Sequence, residues 1–147
     1  MQVNTIQIFF EDIPLLKIKR GVLKKHIKQL INSELADLGN ISVVFCSDNY
    51  LLNINKQYLN HNYYTDIVTF DYGENSVISG DLFISVDRVT ENAKIFNKAF
   101  YNELYRVVFH GILHLVGYND KTNEEKRVMR NKEDYYLSEV DFGGNEL

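Results

Sequence analysis

The chain has 147 residues and a formal net charge of −4, with 45% hydrophobic and 24% charged residues. This composition is that of one globular domain over residues 1–147. The negative charge gives no support to general coating of nucleic acid, so any contact with nucleic acid must come from a local basic patch. The sequence contains neither a basic-and-apolar leader nor about 20 consecutive apolar residues, which predicts a cytoplasmic protein without membrane contacts.

In chain order, alternating or β-branched apolar residues predict four strands, and apolar residues at helical spacing predict five helices. The predicted strands are residues 5–10, 41–46, 67–70 and 76–86. The predicted helices run over about residues 19–38, 48–58, 87–97, 98–117 and 122–139. This interleaving favours a single α/β (or α+β) domain with a mixed sheet of about four strands and about five helices.

Several residues predict where these elements begin and end. Gly39 is expected to end the first helix, and Asp87 to cap the third, while Ser47 or Asp48 caps the second. Residues 122–125, Thr-Asn-Glu-Glu, fit a capping box at the start of the last helix. The tail beyond residue 139 is predicted to be loose. The one cysteine, Cys46, is predicted to be a buried strand residue, and it excludes a disulfide framework.

The most informative stretch is residues 110–120, His-Gly-Ile-Leu-His-Leu-Val-Gly-Tyr-Asn-Asp. His110 and His114 are four residues apart in a predicted helix, so both imidazoles leave the same face one turn apart. Gly117 can end this helix in a left-handed conformation, and the returning chain then offers the Asp120 carboxylate. Two imidazoles and a carboxylate suit one zinc ion per chain best, although nickel, iron and copper are chemically compatible. Three protein ligands leave a fourth position for water, as in catalytic sites.

The alternative interpretation is that the two histidines are buried core residues. Glu103 and Arg106 lie seven and four residues before His110 on the same predicted face, so either can orient an imidazole or form a solvated ion pair. Zinc peptidases carry a catalytic glutamate directly after the first histidine of a His-x-x-x-His helix. Gly111 occupies that position here, which argues against peptide hydrolysis.

The stretch resembles the signature H-G-x-L-H-L-x-G-Y-D-H of the YbeY family of bacterial endoribonucleases, also described as ribosomal-RNA maturation factors. The resemblance extends to Glu103 and to segments 52–58, 65–70 and 80–85. It implies a metal-dependent hydrolase with an α/β sandwich-like fold that cleaves single-stranded RNA, matures small-subunit ribosomal RNA and takes part in ribosome quality control. The implied partners are ribosomal RNA and, as further candidates, ribosomal proteins.

The chain departs from this family pattern at two positions. Asp120 stands where the family has its third metal-binding histidine, which keeps a ligand but adds negative charge and a harder oxygen donor. Leu59 stands where the family has an arginine that is assigned to RNA cleavage. Arg106 and Arg88 are the candidate replacements for that cation.

The chemistry expected of such a centre is phosphodiester cleavage, with the metal activating water or polarising a phosphoryl oxygen. The 2′-hydroxyl of RNA is an alternative nucleophile. Asp66 and Asp81, both in segments shared with the family, are candidate general bases, and each is otherwise a turn or strand-end cap. Together with Arg106 they are the predicted catalytic residues.

A basic segment near the N-terminus is the predicted RNA-binding surface. Arg20, Lys24 and Lys28 recur at i, i+4 and i+8, and such like-charge spacing disfavours an isolated helix. Phosphate attraction explains the arrangement, and a plain solvated face is the alternative. Tyr64, with its aromatic neighbours in residues 58–64, can stack on unpaired bases or be buried in the core.

Two other functions compete with the nuclease. The first is a non-enzymatic ribosome-assembly factor in which zinc only fixes a loop. Leu59 favours this function, because it replaces the arginine that the family uses for RNA cleavage. The second is a metal-dependent hydrolase of small molecules or peptides. Turnover of a defined single-stranded RNA, with and without a chelator, distinguishes the nuclease from the assembly factor.

Overall fold

The structure is a computed structural model that describes residues 4–143. These residues form nine secondary-structure elements. The strands are β1 (Thr5–Glu11), β2 (Asp37–Cys46), β3 (Ile67–Asp71) and β4 (Val77–Ser85). The helices are α1 (Arg20–Ser33), α2 (Asp48–Leu59), α3 (Val86–Ile95), α4 (Phe100–Val116) and α5 (Asn123–Ser138). Number and order agree with the sequence prediction.

The four strands form one mixed sheet in the order β1-β2-β4-β3. β1, β2 and β4 are parallel, while β3 runs antiparallel to β4 at one edge. Parallel neighbours need long crossovers, and the helices between the strands provide them. The predicted single domain with a mixed sheet is confirmed.

Helix α4 lies on one face of the sheet and carries much of the core. Gly111 allows this close approach, because a Cβ atom there would come within 2.6 Å of Leu82 and 2.7 Å of Ile67. On the opposite face, Leu51 of α2 and Val68 of β3 form a smaller apolar cluster with Cys46, which is fully buried as predicted. Burial raises the pKa of the Cys46 thiol to about 12.

Helix α1 ends earlier than predicted, at Ser33 rather than near Leu38. The chain turns at Leu35, which has a positive φ of 59°, and Leu38 then pairs with Ile78 in the sheet. Gly39 is therefore a strand residue and not a helix end. Close packing requires a glycine at this position, because a Cβ atom on residue 39 would lie 2.0 Å from the Ser79 Oγ.

Two further predictions about element ends were wrong. Ser85, not Asp87, caps α3 by accepting a hydrogen bond from the Arg88 backbone, because β4 runs directly into the helix. The first residues of the tail are not loose, because Val140 is buried and Phe142 packs edge-on against Tyr105. Residues 144–147 of the predicted tail lie outside the described residues.

The helix starts that depended on polar side chains agree with the sequence. Ser47 caps α2, and Thr122 with Glu125 forms the predicted capping box of α5. Across residues 4–143, no helix is both long enough and apolar enough to cross a membrane.

Candidate metal centre and its adjoining cavity

The two histidines project together from the C-terminal half of α4. Their Nε2 atoms are 3.0 Å apart. The Asp120 Oδ2 lies 3.1 Å from the Nε2 of His110 and 3.3 Å from that of His114. The structure thus brings together the three residues that the sequence assigns to a metal.

The outer nitrogens of both rings have partners that fix the ring orientation. The His114 Nδ1 lies 2.8 Å from the carbonyl oxygen of Tyr118, which can only accept, so Nδ1 donates the proton. The His110 Nδ1 lies 2.6 Å from a carboxylate oxygen of Glu133 and donates to it in the same way. In a neutral ring each Nε2 is then left with a lone pair that faces the other ring and Asp120.

Three acceptor atoms that converge in this way repel one another unless a positive charge lies between them. Ligands about 2.0–2.1 Å from a tetrahedral ion are about 3.3 Å apart, close to the separations of 3.0–3.3 Å here. The donor set, its spacing and its orientation therefore fit a divalent transition metal. Among the described residues, this is the one cluster of three or more histidine, cysteine or acidic side chains with metal-ligand spacing.

The turn after α4 carries Asp120 to the histidines. Gly117 adopts a φ of 126°, which L side chains rarely adopt, and the Tyr118 backbone donates back to Leu113 at 3.0 Å. The Tyr118 hydroxyl then donates to Glu34 at the end of α1, at 2.6 Å. Both contacts hold Tyr118, two residues before Asp120, which limits the positions that Asp120 can take.

Glu34 is the centre of a polar cluster behind this turn. It accepts hydrogen bonds from Tyr118 and Tyr136, and Lys132 lies 3.1 Å away. Burial opposes ionisation of Glu34, but these hydrogen bonds outweigh it and hold its pKa below the ordinary 4.5. The carboxylate is therefore the stable form and keeps the turn anchored.

Glu133 was not predicted from the sequence, where Glu103 was expected to orient an imidazole. Both outer nitrogens are engaged by Glu133 and Tyr118, so Glu103 does not hold this role. A signal for Glu133 exists, because it lies four residues after the core residue Met129 and so falls on the buried stripe of α5. A charged residue on a buried stripe requires a partner, and His110 and Arg106 provide it.

A cavity of about 460 Å³ adjoins the centre. Its lining includes the metal ligands His110 and Asp120 together with Asp66, Glu103 and Arg106. Burial raises the pKa of Asp66 and also that of Glu103, with nearby cations opposing the shift at Glu103. Two carboxyl groups that hold protons more readily than usual therefore share the cavity with His110 and Asp120.

The other predicted catalytic residues have different surroundings. Asp81 is on the sheet face opposite α4, because residues alternate along β4 and Leu82 faces Gly111; there it accepts a hydrogen bond from Tyr72. Asp81 is therefore not part of this centre. The Arg106 guanidinium forms ion pairs with Glu133 at 2.9 Å and Asp134 at 2.6 Å. Arg106 therefore orients Glu133 and does not have a free guanidinium for catalysis.

The predicted RNA-binding residues lie away from the cavity. Arg20, Lys24 and Lys28 follow the outer side of α1, and the Arg20 guanidinium lies over the Phe10 ring at 4.9 Å. Tyr64 is exposed and not buried in the core. However, the Arg88 guanidinium lies over its ring, 4.7 Å from the ring centroid. Arg88 in turn pairs with Asp48, so it is not free to bind phosphate.

An α/β domain with a mixed sheet, a His-x-x-x-His helix and a following aspartate has the features of a candidate metallohydrolase. The family model described as Endoribonuclease YbeY matches residues 10–141. The chain belongs to the endoribonuclease YbeY family.

Curated relatives agree with this membership. The chain is 47% identical to Endoribonuclease YbeY of Parabacteroides distasonis over 90% of this chain and 94% of the relative. It is 44% identical to the Cytophaga hutchinsonii protein of the same name, over 94% and 97% of the two chains. A protein of Thermotoga maritima with a known solution structure matches with a TM-score of 0.65 and 28% identity, over 96% and 99% of the two chains.

Proposed function

We propose that the chain is a zinc-dependent endoribonuclease that cleaves single-stranded RNA, with one ion per chain held by His110, His114 and Asp120. The observation that carries the proposal is the convergence of three acceptor atoms within 3.0–3.3 Å beside an open cavity. The name that its relatives bear supports RNA as the substrate. Another divalent transition metal is compatible with the same ligands.

We propose that the biological substrate is ribosomal RNA of the small subunit, and that the enzyme acts in the cytoplasm in the maturation of this RNA and in ribosome quality control. Ribosomal proteins are proposed as further partners. Membership of the family supports these assignments, and the metal centre is equally compatible with other single-stranded RNA.

The chain's own residues divide the work as follows. A divalent ion held by the three ligands supplies Lewis acidity toward the phosphodiester. Glu133 and the Tyr118 carbonyl keep both imidazoles turned toward the centre, and Arg106 holds Glu133 in place. Asp66 is the proposed proton carrier, because it borders the same cavity as His110 and burial raises its pKa.

The test is cleavage of a fluorophore-labelled single-stranded RNA, with duplex RNA and single-stranded DNA of the same sequence as controls. We expect cleavage of the single-stranded RNA alone, its loss with a chelator, and its return when zinc is added. Protein that binds ribosomal RNA and retains zinc but cleaves none of these strands supports the non-enzymatic assembly factor instead.

Asp66→Asn tests the proton carrier, and Asp81→Asn is the matched control on the opposite sheet face. We expect Asp66→Asn to lower kcat by at least about tenfold with unchanged metal content, whereas Asp81→Asn leaves both unchanged. Equal rates in the two variants would remove Asp66 from the mechanism.

A further inference from the structure

One side of the cavity beside the metal centre is formed by residues that the metal does not require. These residues come from the first turns of α5 and the end of α3, and they are Lys126, Arg130 and Phe96. The cavity volume of about 460 Å³ lies in the range of small-ligand sites and accommodates a nucleotide.

The two cations on this side are available to bind an anion. Lys126 and Arg130 are exposed, and within residues 4–143 neither side chain forms an ion pair. By contrast, Arg106 in the same cavity is held by Glu133 and Asp134. Arg127, on the same helix but outside the cavity, pairs with Glu124.

The spacing of these cations is unfavourable for the helix itself. Lys126 and Arg130 are four residues apart, so they lie one turn apart on one face, where like charges repel. Lys126 also lies at the end of the first turn of α5, where the helix dipole disfavours cations. The charge of Arg130 reaches the cavity, since it lowers the pKa of Glu103 there and so opposes the effect of burial. An anionic ligand accounts for the pair better than helix stability does.

An aromatic ring lines the cavity together with the two cations. Phe96 follows the last residue of α3, borders the cavity and is 54% exposed. Exposed aromatic rings beside cations are the usual platform for unpaired bases. A nucleotide offers both groups that this lining suits, a phosphate for the cations and a base for the ring.

We propose that this side of the cavity is a nucleotide subsite, in which Lys126 and Arg130 hold a phosphate of the bound strand and Phe96 stacks on the adjoining base. The identity of that strand as RNA rests on the proposed function. The subsite would set the position of the strand relative to His110 and Asp120, and it would do so without contacting the metal.

The experiment measures binding of a fluorophore-labelled single-stranded RNA by anisotropy across a range of salt concentrations, with strand integrity checked on a gel. Lys126→Gln and Arg130→Gln are each expected to raise Kd by about threefold or more and to reduce the slope of log Kd against log salt by about 0.7. Phe96→Leu is expected to raise Kd by about fivefold or more with the slope unchanged. Arg127→Gln is the charge-matched control and should equal the wild type.

Two outcomes overturn the subsite: Lys126→Gln and Arg130→Gln that bind with the wild-type Kd and slope, or an Arg127→Gln variant that weakens binding as much as they do. Circular dichroism and metal content, measured on the same samples, keep misfolding from imitating the effect. Cleavage separates the two proposals. If RNA binding shows the expected changes in Kd and salt dependence but no cleavage occurs, the subsite is retained and the nuclease is rejected. If cleavage occurs and none of the three variants affects it, the nuclease is retained and the subsite is rejected.

Discussion

The Nδ1 atom of His110 lies 2.6 Å from a carboxylate oxygen of Glu133, although the two residues are 23 positions apart in the sequence. This contact links α4 to α5 and sets the direction in which His110 presents its other nitrogen. Burial opposes protonation of His110, but the hydrogen bond and charge of Glu133 raise its pKa above the ordinary 6.5. Glu133 thus increases the basicity of a metal ligand, as a carboxylate behind a histidine does in zinc sites.

Glu133→Gln is expected to weaken zinc binding by about 10–100-fold, because the amide no longer supplies the negative charge behind His110. Asp134→Asn is the matched control, since Asp134 is 55% exposed and binds only the outer side of Arg106. Competition with a chelating dye measures both affinities. Equal zinc affinity in Glu133→Gln and the wild type would contradict the assigned role.

Asp120 offers a direct test of the third ligand. His114→Ala and Asp120→Ala are both expected to lose most of the bound metal, because either change leaves two protein donors instead of three. Asp120→His should retain about one ion per chain, since it restores a third donor at the end of the same turn. Elemental analysis of the purified proteins provides the measurement. Full metal content in Asp120→Ala would mean that another residue is the third ligand.

The metal ligands could be predicted from the sequence because their geometry is local. His110 and His114 are separated by one helical turn, and the turn at Gly117 limits where Asp120 can lie. The strands were predictable for a similar reason, since their β-branched runs leave few alternatives. The fold class followed from the order of these elements.

Other features depend on contacts between distant segments and could not be predicted in this way. Glu133 reaches His110 only because α5 packs against α4, and Tyr118 meets Glu34 across 84 positions. The early end of α1 has the same origin. Leu38 has a good helical spacing, but pairing with Ile78 in β4 draws it into the sheet. Tertiary pairing therefore overrode local periodicity at that point.

Because α4 packs closely on the sheet, we expect a glycine-to-alanine substitution in α4 to be more costly than one in the open surroundings of α1. Gly111→Ala places a methyl group within 2.6 Å of Leu82 in a filled core, whereas Gly21→Ala in α1 meets nothing within 4 Å. Gly21→Ala is expected to be neutral or to stabilise the fold by up to about 1 kcal/mol. Gly111→Ala should be about 1–3 kcal/mol less stable than that control.

Urea unfolding of the two variants and the wild type measures these differences in the free energy of unfolding. The slope of free energy against urea should stay constant, so that the comparison reflects the folded state. A Gly111→Ala variant that is as stable as Gly21→Ala would show that Leu82 and Ile67 can move aside without cost.

The last prediction concerns the anchor of the Asp120 turn and its dependence on pH. Glu34 has a folded-state pKa below 4.5, so its contribution to stability is fully present above that value and is lost as the pH falls through the folded-state pKa. Glu34→Gln is expected to lower the free energy of unfolding by about 1–3 kcal/mol at pH 7, because two tyrosine hydroxyls and Lys132 lose a charged acceptor. The difference from the wild type should shrink steadily below pH 4.5.

Urea unfolding of the metal-free proteins between pH 7 and pH 3 provides the measurement, and removing the metal prevents its own pH-dependent binding from contributing. Glu124→Gln is the control, because Glu124 pairs with Arg127 on the exposed side of α5 and should have little effect at any pH. Tyr118→Phe removes one of the hydrogen bonds to Glu34 and is expected to lose only part of the stability lost in Glu34→Gln. A difference between Glu34→Gln and the wild type that stays constant down to pH 3 would mean that the charge of Glu34 does not anchor the turn.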